Sequence, residues 1–164
     1  MAFRPSRPAY KLLVSACLAG VNCTYRGKNN LNRHIKKLVD DKRAIAICPE
    51  ILGGLGIPRE NSEITADIGE GVLAKKARVL TPSGKDVSKE FIAGAKKALS
   101  IASKHNIKIA ILKSKSPSCG FGKIYDGTFK GILKEGNGIC ASLLSRNGIA
   151  VYNEKDILLE KWPR

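Results

Sequence analysis

Three cysteines of this 164-residue chain share one local setting. Cys17 in VSACLAG, Cys48 in IAICPE and Cys119 in KSPSCG each follow a short apolar run and sit on a turn marked by Gly or Pro. Thiols scattered through a core have no reason to repeat that setting. In an open α/β sheet, ligands collect beyond the carboxyl ends of the strands, so three thiolates at three strand ends can converge on one object. That convergence constrains the fold, because the three runs must then end on the same edge of one sheet. Thiolate is a soft ligand that suits an iron–sulfur cluster, zinc or copper(I). Three protein ligands leave one coordination position open, which is the arrangement of a catalytic centre. The spacing is neither CxxC nor a compact CxxCxxC, so a zinc finger or ribbon is not indicated.

The remaining cysteines read differently. Five is an odd number and argues against a complete disulfide framework, leaving metal binding or catalysis as the expected uses. Cys23 lies six residues after Cys17 and is a candidate fourth ligand. If it ligates, the site closes and becomes structural or electron-transferring. Cys140 in GICASLL reads as a small residue of a helical core. His34 and His105 fall in Lys-rich helical segments away from the cysteine motifs and read as surface residues, which disfavours a Cys–His dyad.

Apolar strands alternate with amphipathic helices along the chain. Strands are expected over 11–16, 43–47 and 108–112 and near 149–152. Helices are expected over 31–42, 86–104 and 138–146, with a short helical turn in EKDILLEKW. The helix over 31–42 turns Leu31, Ile35, Leu38 and Val39 inward. That over 86–104 buries Val87, Phe91, Ala95, Ala98 and Ala102 behind an Asp86 N-cap. The glycine-rich ILGGLGIPRE reads as a loop with a helical turn, and SKSPSCGFGKIYDGTF as a loop. The alternating stretches 63–68 and 72–80 read as a small hairpin or extended arm. The fold class is therefore α/β: a single domain over 1–164, a mainly parallel sheet flanked by helices, and a basic arm at 1–10.

The net charge of +15 favours anionic partners such as nucleotides or RNA. Aromatic content of 5% and the lack of an aromatic RNP-like strand argue against a dedicated RNA-binding module. No apolar run reaches the roughly 18–20 residues of a membrane span. No apolar h-region follows the basic start, so a cytoplasmic location is expected.

Candidate acid–base groups flank the cysteines. Glu50 stands two residues past Cys48, and Ser116 three before Cys119. Asp126 follows Tyr125 in KIYDGTF. A carboxylate beside a metal can activate water. Each of these residues also has an ordinary reading: Glu50 as a favourable charge in a first helical turn, Ser116 as a turn residue before Pro117.

Taken together and in order, VSACLAG, CPEILGGLGIPR, KSPSCG and YDGTF resemble the thiouracil desulfidase family, over about residues 13–154. The resemblance implies a [4Fe–4S] cluster held by Cys17, Cys48 and Cys119, with one iron open to substrate sulfur. It also implies a catalytic carboxylate at Glu50 and a catalytic serine at Ser116. The chain is similar to the short type that acts on thiolated uracil bases or nucleotides, rather than to longer fusions acting on tRNA thiouridine. The expected activity is non-redox, hydrolytic removal of sulfur from 4-thiouracil or its nucleotide, releasing hydrogen sulfide, with Arg59, Tyr125 and Asp126 as substrate-pocket candidates. Three alternatives remain at this level: a tRNA thiouridine desulfidase, a sulfur carrier, and a closed four-cysteine metal site.

Overall fold

The computed structural model describes residues 10–158; the expected N-terminal arm, Tyr10 apart, and the end of the C-terminal segment lie outside them. Four strands, β1 (Leu12–Ser15), β2 (Ala44–Ile47), β5 (Ile109–Leu112) and β8 (Ala150–Asn153), form a sheet in the order β2-β1-β5-β8. Every pairing in it is parallel. Side chains alternate between faces along a strand, and the burial follows that alternation. Leu12 and Val14 of β1 and Ile111 of β5 pack with Ile35 and Leu38 of α1 (Arg33–Asp40) on one face. Leu13, Ala110 and Leu112 pack with Phe91 of α4 (Ser88–Lys104) and Leu144 of α5 (Ile139–Arg146) on the other. A sheet buried on both faces needs apolar residues at successive positions, as LLVS and IAIL supply.

The stripe Val87, Phe91, Ala95, Ala98 and Ala102 is buried as its period predicts. Small residues let α4 approach its neighbours closely. A Cβ on Gly94 would lie 1.8 Å from the Pro49 carbonyl oxygen, and one on Gly53 1.9 Å from that of Glu90. The backbones of α4 and the short α2 (Pro49–Leu52) are therefore in direct contact, which seats the turn carrying Cys48 and Glu50.

Some expectations need correction. The helix over 31–42 begins only at Arg33, because the Asn32 side chain caps it by accepting from the His34 and Ile35 amides. Leu31 falls before that cap and is half exposed rather than inward. The long helix begins at Ser88 with Val87 at the N-cap position. Asp86, one residue earlier, still accepts from the Ser88 amide and hydroxyl. The 63–80 hairpin exists, as β3 (Glu63–Thr65) antiparallel to β4 (Arg78–Leu80), but its connection folds into α3 (Gly69–Leu73). There Gly69 lies against the Gly138 backbone at the start of α5, and that packing overrides the local alternation. The loop after Cys119 contains an unforeseen hairpin, β6 (Lys123–Tyr125) with β7 (Leu133–Glu135). The last described element is α6 (Glu154–Leu158). Among the described residues no helix is long and apolar enough to cross a membrane.

Candidate functional site

From β1 the chain goes outward to β2, then returns to place β5 on the other side of β1. Such a reversal of strand order leaves a crevice at the carboxyl edge. Cys17 follows β1 in a 3₁₀ turn (Ala16–Ala19), Cys48 follows β2, and Cys119 lies on the segment after β5. All three line one cavity of about 620 Å³, together with Glu50, Ser116 and Tyr125. All five cysteines are free, and Cys140 is fully buried in α5, away from the cavity lining.

Cys23 also lines the cavity and is buried. The Cys48 thiol donates to the Cys23 carbonyl at 3.8 Å, and the Cys23 thiol interacts with those of Cys17 and Cys48. This holds Cys17 below the ordinary thiol range and brings Cys48 down to about 7, while Cys23 itself is driven up. Two of the three expected ligands are thus biased toward the thiolate, the form that binds metal. Burial pushes the Cys119 thiol up instead, so a metal there must displace its proton.

Glu50 stands in the first turn of α2, with Oε2 gripped by Arg59. Arg59 donates Nε to it at 2.7 Å and a terminal nitrogen at 2.7 Å. The same guanidinium also donates to the Cys23 carbonyl at 2.9 Å and the Gly56 carbonyl at 3.0 Å. Four of its five N–H groups are thereby engaged within the protein, so Arg59 holds Glu50 while itself lining the cavity. Ser116 Oγ accepts from the Ser118 and Cys119 amides, both at 3.1 Å, in a turn that aims the Cys119 segment. With those acceptor positions used, its hydroxyl proton is free to donate.

Asp126 does not join this group. Its carboxylate closes its own turn, accepting from the Thr128 amide at 2.9 Å and hydroxyl at 2.6 Å, and it is absent from the cavity lining. An Asp before Gly-Thr satisfies itself locally. His34 is exposed, and His105 is half-buried edge-on against Tyr10, with ring centroids 5.3 Å apart.

Sequence reading passed over Lys113, Glu154 and Glu63. Lys113 lines the cavity and pairs with Glu154 at 2.8 Å, while Glu154 also accepts from the Ser114 amide and hydroxyl. Burial opposes the Glu154 charge, but these bonds together outweigh it and hold the carboxyl below its usual range. The signal for Lys113 was its place directly after an apolar strand. Glu63 opens β3, and nothing in ENSEIT announces a buried acid.

The donor set fits a sulfur-ligated cluster. Among the described residues no three His, Cys, Asp or Glu side chains close around a point as one metal ion requires. A four-iron cluster is a larger object, and its ligands stand correspondingly further apart. Beside Cys119, Ser118 Oγ is buried without a hydrogen-bond partner among the described residues. Soft thiols on three sides of one cavity match iron–sulfur chemistry better than they match a hard cation.

The model of a family described as 2-thiouracil desulfurase matches residues 12–156. This chain belongs to that family. It is 45% identical over 146 residues to the uncharacterized protein YbbK of Bacillus subtilis (strain 168), covering 89% of this chain and 97% of the relative. A solved structure, the [4Fe–4S]-dependent thiouracil desulfidase TudS, matches with a TM-score of 0.80 at 39% identity. That match covers 92% of this chain and 94% of the other. The likeness embraces the four-stranded parallel sheet and its flanking helices.

Proposed function

We propose that the protein removes sulfur from a thiolated uracil, as base or nucleotide, at a [4Fe–4S] cluster held by Cys17, Cys48 and Cys119 with one iron open. The observation that carries this reading is the convergence of those three thiols and Glu50 on one cavity. When bound, such a cluster supplies a Lewis-acidic iron that draws density from the C–S bond without a change of redox state.

The protein's own groups supply the rest. Arg59 occupies Glu50 Oε2, leaving Oε1 to take a proton from water. The water oxygen then bonds to the thione carbon. Ser116 donates its hydroxyl to the charge developing at the ring. The C–S bond breaks, and water plus thione become carbonyl plus hydrogen sulfide. Tyr125 contributes to the substrate wall. Arg26, Lys28, Lys113 and Lys115 make part of the lining cationic, which suits a nucleotide phosphate.

The test is anaerobic iron and sulfide quantitation with an absorption spectrum, followed on the same sample by turnover of 2-thiouracil, 4-thiouracil and their nucleotides. Four irons per chain with sulfide release supports the reading and orders the substrates. A loaded cluster that turns over none of them overturns it. A four-cysteine requirement including Cys23, without turnover, favours a closed site instead.

A further inference from the structure

Glu63 is the only carboxylate among the described residues buried as deeply as a core side chain, at 4% exposure. Its Oε2 accepts from the Gly127 and Phe129 amides, both at 2.9 Å, and so pins the YDGTF loop to the start of β3. Phe129 and Tyr125 on that loop line the cavity, and so does Glu63. Gly127 permits the fit: its φ is +93°, and a Cβ there would stand 2.6 Å from the Ile64 carbonyl oxygen.

Pinning a loop uses one oxygen. Oε1 has no hydrogen-bond partner among the described residues, and no described cation pairs with Glu63. Among the described residues the side-chain atoms sealed from water without a partner are Ser118 Oγ and Ser142 Oγ, so Glu63 Oε1 is not sealed, and Glu63 is one of the residues that line the cavity. Burying a carboxylate without a counter-charge is costly, and a neutral amide could cap the same turn at less cost. A free acceptor on a residue that lines a binding cavity calls for a donor on the ligand.

We propose that Glu63 Oε1 accepts the ring N3–H of the substrate and selects pyrimidines that carry this proton. The inference rests on the thiouracil reading of the site. N3–H lies between C2 and C4, so it adjoins the thione carbon in both the 2-thio and the 4-thio isomer. A cytosine-type ring presents a bare acceptor at N3 and is repelled. A site built to bond a substrate N–H discriminates strongly against an analogue that lacks it.

The experiment uses cluster-loaded wild type and Glu63→Gln with 2-thiouracil, 4-thiouracil and their 3-methyl derivatives. Glutamine is isosteric, so its amide oxygen can keep the loop bonds while its NH₂ replaces the open acceptor. Steric penalty from the methyl group is common to both proteins and cancels in the ratio. The wild type should prefer the N–H substrate in kcat/KM, and Glu63→Gln should reduce that preference at least tenfold with an unchanged cluster spectrum. Inhibition constants for uracil and 3-methyluracil should show the same contrast. If Glu63→Gln does not fold, inhibition of the wild type by uracil against 3-deazauracil, which replaces N3–H by C–H without added bulk, decides, and equal inhibition overturns the inference. A wild type indifferent to the methyl group overturns the inference and leaves the desulfidase reading standing. So does a Glu63→Gln protein that slows both substrates in equal proportion, since that is loop pinning alone. Failure of the loaded wild type on both thiouracils overturns the reading and the inference together.

Discussion

The two carboxylates of the cavity stand on different supports. Glu50 rides on the parallel sheet's own framework: β2 ends at Ile47, Cys48 turns, and α2 is pressed backbone to backbone against α4. Glu63 belongs to another part of the lining, where two short hairpins, β3–β4 and β6–β7, are tied together by Glu63 Oε2 and by Lys134 donating to the Asp67 carbonyl. The first support is a buried core shared by many residues; the second is a few local bonds. Chemistry that needs fixed geometry suits the first support. Discrimination between substrates, which tolerates and even uses adjustable loops, suits the second, as the roles proposed above assign them.

If the sheet edge carries the cluster, the largest effects come from its thiols. Cys17→Ala, Cys48→Ala and Cys119→Ala should each lower iron per chain and abolish sulfide release. Cys23→Ala and Cys140→Ala should retain both, because Cys23 holds Arg59 through its backbone carbonyl, which survives the change. Iron and sulfide analysis of the five variants checks this, and a Cys23 requirement would break the three-ligand assignment.

Glu50→Gln should keep the cluster spectrum and lower kcat by about 10²–10⁴-fold, the range of a lost general base. An active Glu50→Gln enzyme would move the proton transfer elsewhere on the wall.

Arg59→Met should lower kcat by roughly 10–100-fold through a misplaced Glu50. KM should change little, and Arg59→Lys should recover part of the loss. A rise in KM at constant kcat would return Arg59 to the substrate contacts.

Gly94→Ala tests the support itself. Its Cβ meets the Pro49 carbonyl, and overpacking of this kind costs about 1–3 kcal/mol, read as a lower denaturation midpoint. Activity should fall with it if α2 shifts, whereas a substitution confined to the hairpin wall should alter substrate preference first.

The strand ends and the long helix were legible because their signals are local and mutually consistent. LLVS, AIAI and IAIL are apolar at successive positions, and the α4 stripe keeps a helical period over 17 residues. Cys17, Cys48 and Cys119 could be placed on one edge for the same reason, since strands joined by right-handed crossovers run parallel and end together. The β6–β7 hairpin was not legible: its strands have three residues each, β7 being Leu-Lys-Glu with two charged residues of three, and they are defined by each other. Asp126 read as a pocket residue through its nearness to the motif, and only the folded turn shows its carboxylate spent on Thr128.

By itself the sequence determined the α/β class, the order of the elements, and three thiols at strand ends with Glu50 and Ser116 beside them. These depend on patterns within a few residues. Only the tertiary structure decided that Arg59 holds Glu50, that Lys113 leans on Glu154 forty-one residues away, and that Glu63 binds a loop sixty-four residues on through one of its two oxygens. Those are hydrogen bonds between segments distant in sequence, and no local pattern encodes which polar group will be left without a partner once the chain closes around it.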